Sequence, residues 1–184
     1  MKIGYAMCGS YCTHAKSLAV LEELVKVHTV VPIVSENVAS TDTRFGRAAD
    51  LVEILTSLCG RAPICTIAGA EPLGPKEALD MLVIAPCTGN TLAKMAHGIT
   101  DTAVTMAAKA HLRADRPLLL ALATNDALAA NLENIAVMRS RKHVYFTPMS
   151  MDDPVHKPHS LVADFASIPA EMEKIRQKYG ISPA

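Results

Sequence analysis

The chain has 184 residues, half of them apolar, and its 18 Lys plus Arg are balanced by 18 Asp plus Glu. Zero formal net charge gives no electrostatic footprint for nucleic acid or an anionic membrane as the main partner. The length fits one domain, residues 1–184, and no apolar run approaches the roughly 20 residues that span a bilayer.

Residues 2–8 form a short apolar run and read as the first strand. Residues 13–27 carry Leu18, Leu21, Leu24 and Val25 at helical spacing. Residues 29–34 read as a second strand, and Pro32, which has no N–H to give a ladder, puts it near a sheet edge. A polar loop follows at 35–45, a helix at 46–58 and a third strand at 63–67. Two prolines and a glycine in AEPLGPK (70–76) forbid a long helix, so that stretch reads as a loop. Residues 81–85 form the clearest strand, apolar throughout, as expected of a strand covered on both faces. Helices are expected at 88–96 and 101–114, a fully apolar strand at 117–123, a helix at 126–141, a strand at 143–147 and a C-terminal helix at 161–178. Alternation of this kind predicts an α/β fold, an open parallel sheet with helices on both faces. Met1-Lys2 leads straight into the first strand with no signal-peptide core. Five cysteines, an odd number without a tight framework, fit a reducing compartment. A cytoplasmic location is expected.

Ligands of open parallel sheets collect beyond the carboxyl ends of the strands. Four loops at that edge carry small polar residues. In MCGSYCTH, Gly9 permits close approach, Ser10 offers a hydroxyl and the next helix presents unpaired N–H groups, a set suited to a phosphate monoester. The spacing is not G-x-G-x-x-G, so a dinucleotide is disfavoured; the alternative is an ordinary cap by Ser10 or Thr13. In VSENVASTDTRFG, Ser35 and the residues at 40–43 can cap a helix, while Arg44 can hold a carboxylate through two parallel hydrogen bonds or simply face water. The third loop, PCTGNT (86–91), has Thr88, Asn90 and Thr91 around Gly89, more than one cap requires, and Asn can read a heterocycle edge with N–H beside C=O. The fourth, at 124–126, repeats the pattern with Thr124, Asn125 and Asp126, the last a candidate N-cap. No Ser-His-Asp triad or carboxylate pair stands out, so no catalytic residue is assigned. Cys8 and Cys12, or His156 and His159, lack further ligands, and no metal site is expected. His14, His97 and His111 read as structural or exposed. Lys94, Lys109 and Arg113 lie on helices and face either the crevice or water.

Residues 85–101, APCTGNTLAKMAHGITD, resemble the flavin-binding motif of the flavoprotein family, which includes peptidyl-cysteine decarboxylases and flavin prenyltransferases. STDTRFG (40–46), AEPLGPK (70–76), TMAAKAHLR (105–113), TNDAL (124–128) and KPHSLVA (157–163) resemble the dipicolinate synthase B-subunit branch of that family. The resemblance implies a flavodoxin-like Rossmann three-layer sandwich and a homo-oligomer. It also implies an oxidoreductase role in sporulation, in the mother-cell cytoplasm: oxidation of a dihydrodipicolinate-type precursor to dipicolinate. The implied partner is the A subunit of dipicolinate synthase, which resembles an NADP-dependent dehydrogenase. Carried over by motif, Gly9 and Ser10 meet the phosphate of FMN, Ser35 lies near the flavin, and Pro86, Thr88, Gly89, Asn90 and Thr91 form the turn facing its phosphate or isoalloxazine ring. Each carboxylate of the diacid needs a cationic or N–H partner; Arg44 and Lys76 are the first candidates, Lys109 and Arg113 the next. Two departures matter. The decarboxylases carry a His shortly before the strand at 81–85, where this chain reads EPLGPKEA, and their Met- and Asn-containing clamp is replaced by TNDALAANLENIAVM. Decarboxylation is not expected. Two readings stay open: a redox flavin subunit, or a non-redox substrate-binding or assembly partner of the A subunit. Prenyl transfer is a distant third.

Overall fold

A computed structural model of the chain describes residues 1–74 and 76–182. Pro75, in the loop predicted at 70–76, lies outside them. The chain order is β1 (Lys2–Met7), α1 (His14–Leu24), β2 (Thr29–Val34), α2 (Glu36–Ser40), α3 (Ala48–Cys59), α4 (Ile67–Ala70), β3 (Met81–Cys87), α5 (Gly89–Ala96), α6 (Ala103–Leu112), β4 (Leu118–Thr124), α7 (Leu132–Ser140), β5 (Val144–Phe146), β6 (Met149–Asp153), β7 (Lys157–Ala163) and α8 (Ile168–Lys178). Strands β2, β1, β3 and β4 lie side by side and parallel. Beyond β4 the first half pairs in parallel with β5, and the far end pairs antiparallel with β7 through Ala123↔Val162 and Thr124↔Leu161. Strand β6 completes an antiparallel hairpin with β7.

Side chains alternate across the strands and so sort onto two faces. Tyr5, Met7, Val83 and Ala121 pack against Leu21 of α1, Leu55 of α3 and Ile168 of α8. Ala6, Ile84, Leu120 and Leu122 pack on the opposite side against Leu92 of α5, Val104 of α6 and Met138 of α7. Every residue of β3 is buried, which is why residues 81–85 read as an unbroken apolar run. Each fully buried aliphatic side chain contributes roughly 1.5–3 kcal/mol. The result is the three-layer sandwich, with β2 at the edge as Pro32 requires. Among the described residues no helix is long and apolar enough to cross a membrane.

Several expected elements are corrected. The loop at 35–45 contains the short helix α2, capped by Ser35, whose hydroxyl accepts from the Val38 N–H. Residues 63–67 do not form a strand: Ile64 alone bridges Ile33, and Thr66 then caps α4. The helix expected from 126 begins at Leu132, because the Asp126 carbonyl accepts from the N–H groups of Ala129 and Asn131 and closes a turn. The segment at 149–163 is a hairpin, so the C-terminal helix starts at Ile168 rather than at 161.

Buried polar groups tie the layers together. Ser17 on α1 is fully buried and donates to the Ala85 carbonyl at the end of β3 (2.5 Å), and the Tyr5 hydroxyl of β1 bonds Ser17 Oγ at 2.9 Å. On the other face, fully buried His111 of α6 meets the Pro117 carbonyl through Nε2 at 2.8 Å, while its Nδ1 is buried without a partner. A carbonyl only accepts, so Nε2 carries the proton. Burial pushes the His111 imidazole down to about 4, against the opposing pull of the Pro117 carbonyl. Its folded value lies below the unfolded one, so the unfolded chain takes up the proton first on acidification. Its contribution is therefore present above about pH 6.5 and lost as pH falls towards about 4, on the order of 3 kcal/mol in all. His111→Gln, which retains an N–H donor near Nε2, is expected to flatten that part of the stability profile. Urea unfolding of both proteins at about pH 7 and about pH 5 checks it; equal pH dependence in the two would refute the assignment.

Candidate functional site

The residue just past β1 organises the carboxyl edge of the sheet. The Cys8 N–H donates to the Pro86 carbonyl (3.1 Å), and its own carbonyl accepts from the Ser10 N–H (2.9 Å) and faces His14 Nε2 at 2.8 Å. The Thr91 hydroxyl donates to Cys8 Sγ (3.3 Å). Burial pushes the Cys8 thiol up to about 11, although hydrogen bonds with Thr91 and Thr88 pull the other way. The thiol therefore stays neutral and structural. Burial likewise lowers His14. These contacts fasten the β1–α1 loop to the β3–α5 loop, where the Ala85–Pro86 bond is cis.

Between those loops opens a cleft of about 610 Å³, within the size range of small-molecule sites. Gly9, Ser10, Arg44, Thr88, Gly89 and Asn90 line it, together with Thr124, Asn125 and Asp126. All four strand-tip loops thus meet at one hollow. Not every residue named from sequence reaches it. Ser35 caps α2; the Pro86 carbonyl is taken by Cys8; Thr91 is buried and turned towards Cys8. Lys76 is exposed shortly before the amino end of β3, and Lys109 and Arg113 are exposed in the last turn and C-cap of α6, which leads to the amino end of β4. Those three cations lie outside the cleft, because it sits beyond the opposite, carboxyl ends of the same strands.

The first turn of α5 leaves donors free. Thr88 caps it by accepting from the Thr91 N–H (3.2 Å), so the Gly89 and Asn90 N–H groups have no intrahelical partner. Among the described residues, the Ser10 hydroxyl and the Asn90 and Asn125 amides make no hydrogen bond to the chain, and all three residues line the cleft. Asp126 is fixed instead: Thr124 Oγ1 donates to its Oδ1 (2.5 Å) and Asn131 Nδ2 to its Oδ2 (2.8 Å). These three side chains press on Gly89. A Cβ there would lie 2.5 Å from Thr124 Oγ1, 2.5 Å from Asn131 Nδ2 and 2.9 Å from Asp126 Oδ1.

The hairpin supplies a wall that sequence reasoning missed. Asp152, Lys157, Ser160 and Val162 line the cleft, with Lys157 donating to Asp152 at 2.6 Å. The lining therefore holds two cations, Arg44 and Lys157, and two carboxylates, Asp126 and Asp152. The one signal for this wall was the family motif at 157–163; the stretch SMDDPVHKPH has no strand-like alternation. Among the described residues no group of three His, Cys, Asp or Glu is placed to hold a metal ion. Gly89→Ala is expected to cost roughly 1–3 kcal/mol through overpacking against the Asp126 network. Urea unfolding measures it, and an unchanged midpoint would mean that the network yields freely.

Comparison with known proteins extends this picture. The chain is 44% identical over 183 residues to the B subunit of dipicolinate synthase from Bacillus subtilis (strain 168), covering 99% of this chain and 92% of that protein. The crystal structure of the dipicolinate synthase B subunit from Bacillus halodurans superposes with a TM-score of 0.87 at 38% identity, covering 96% of this chain and 91% of that one. A dodecameric FMN-dependent UbiX-like decarboxylase from Escherichia coli O157:H7 shares the fold, with a TM-score of 0.66 at 21% identity over 100% of this chain and 97% of the other. The family model described as Flavoprotein matches residues 1–177, nearly the whole sandwich and every loop of the cleft, so the chain belongs to the flavoprotein family.

Proposed function

We propose that the chain acts as the B subunit of a dipicolinate synthase, an oxidoreductase subunit that binds FMN and takes part in oxidising a dihydrodipicolinate-type precursor to dipicolinate. It works beside an NADP-dependent A subunit, as a homo-oligomer, in the mother-cell cytoplasm during sporulation. The observation that carries this reading is the convergence on one cleft, which also holds Arg44, of the Ser10 hydroxyl and the Asn90 side chain, both without a partner among the described residues, and of the first N–H groups of α5.

The residues fit the cofactor. A Cβ on Gly9 would touch nothing nearer than the Tyr11 ring at 3.5 Å, so the loop leaves room for a phosphate to approach the backbone. Ser10 and the N-terminal amides hold such an anion without further charge. Asn90 has the donor and acceptor needed for an N–H beside C=O. Phe45, Ala123 and Val162 give the cleft apolar surface for a flat ring. Arg44 pairs with a substrate carboxylate. Aromatising the ring removes two electrons and two protons, and a flavin, when bound, supplies the two-electron acceptor.

One observation favours the non-redox alternative: Asp126 and Asp152 offset the two cations and weaken the pull on a doubly charged phosphate. FMN titration of the purified chain, alone and with the A-type dehydrogenase, separates the readings. Saturable flavin binding that weakens in Ser10→Ala is the expected result. A colourless chain that takes up no FMN in either setting, yet is required for activity, supports the non-redox role. Arg44→Ala is expected to weaken diacid binding by about ten- to hundredfold, the equivalent of roughly 1.5–3 kcal/mol for a charge-assisted hydrogen bond. An unchanged dissociation constant removes Arg44 from the site.

A further inference from the structure

Resting on that reading, we propose that Lys157 is the partner of the second carboxylate, so that Arg44 and Lys157 grip the two ends of a small, flat diacid. In this grip Asp152 holds the Lys157 ammonium until the ligand displaces it.

The placement of the two cations supports this. Arg44 follows β2 and α2 at one edge of the sheet; Lys157 opens β7, which pairs on the far side of β4. Both line the same cleft, so they approach it from opposite walls. The Arg44 guanidinium rests over the Phe45 ring at 4.8 Å, which leaves its N–H fork available to a carboxylate. Lys157 bonds Asp152 at 2.6 Å, but both side chains are substantially exposed, at 54% and 40%. An exposed pair contributes little to stability, so an incoming carboxylate can exchange with Asp152 at small cost. Phe45 beside Arg44, Val162 on the same strand as Lys157, and Ala123 on β4 line the same cleft and give it apolar surface that the flat diacid shares with any flavin ring bound there. The other candidate cations, Lys76, Lys109 and Arg113, lie outside this cleft. A monoacid would satisfy one cation and leave the Lys157–Asp152 pair intact. A diacid would engage both.

The test is calorimetric titration of the full chain with pyridine-2,6-dicarboxylate and pyridine-2-carboxylate. The wild type is expected to prefer the diacid. Lys157→Gln is expected to weaken the diacid by about tenfold while leaving the monoacid nearly unchanged, and Lys157→Arg to restore the preference. Asp152→Asn, which frees the ammonium, is expected to tighten the diacid. Thermal unfolding of each variant verifies folding. Diacid binding unchanged in Lys157→Gln, or equal losses for both ligands, would overturn the grip and leave the proposed function standing. A wild type that binds no diacid, alone or with the dehydrogenase subunit, would overturn both.

Discussion

The end of β1 is pinned from several directions at Cys8: to Pro86 through its N–H, to Ser10 and His14 through its carbonyl, and to Thr91 through its sulfur. Ser17 reinforces the join one turn further along α1 by donating to the Ala85 carbonyl. The β1–β3 ladder sets the spacing of the two strands, and these bonds carry that spacing beyond the ladder into the loops that line the cleft. Anion recognition by main-chain amides needs such fixing, because the donors cannot swing to meet the ligand as a lysine can. The buried thiol fills space at a crowded strand tip, and burial favours its neutral form.

The division of labour among the small polar residues follows from the same geometry. Thr88 and Thr91 complete the start of α5, Ser35 starts α2 and Asp42 receives the Ala48 N–H at the start of α3. Ser10, Asn90 and Asn125 have no such duty and face the hollow. Composition alone does not separate the two groups, since a Ser or Thr at a loop–helix junction looks the same whether it caps or binds. What separates them is which neighbouring N–H lies within reach.

Much of the scaffold was legible because its physics is local. β3 and residues 118–123 of β4 are buried and apolar throughout; Pro32 must avoid a central ladder position; Leu21 and Leu24 recur at helical spacing on the buried side of α1. The failures come from long-range terms. The stretch DALAANLENIAV has helical composition, yet Asp126 is locked by Thr124 and Asn131 and turns its backbone instead. Leu161, Val162 and Ala163 are separated from the apolar residues ahead of α8 by Asp164 alone, and only pairing with β4 and β6 reveals them as strand. Likewise Arg44 was visible as a cation near a strand tip, but Lys157 was not singled out, because its position depends on a hairpin that the local pattern does not announce.

That hairpin pairs with the parallel core at the far end of β4, through Val162 and Leu161, and among the described residues its outer strand β6 pairs with β7 alone. It is in effect an appliqué on a finished sheet. Its inner end is held, since Ala163 and Val162 join one buried layer and Met149 and Leu161 pack on the other, whereas residues 154–159 at its tip are exposed, so the rim of the cleft at Lys157 can be reshaped while both cores stay as they are.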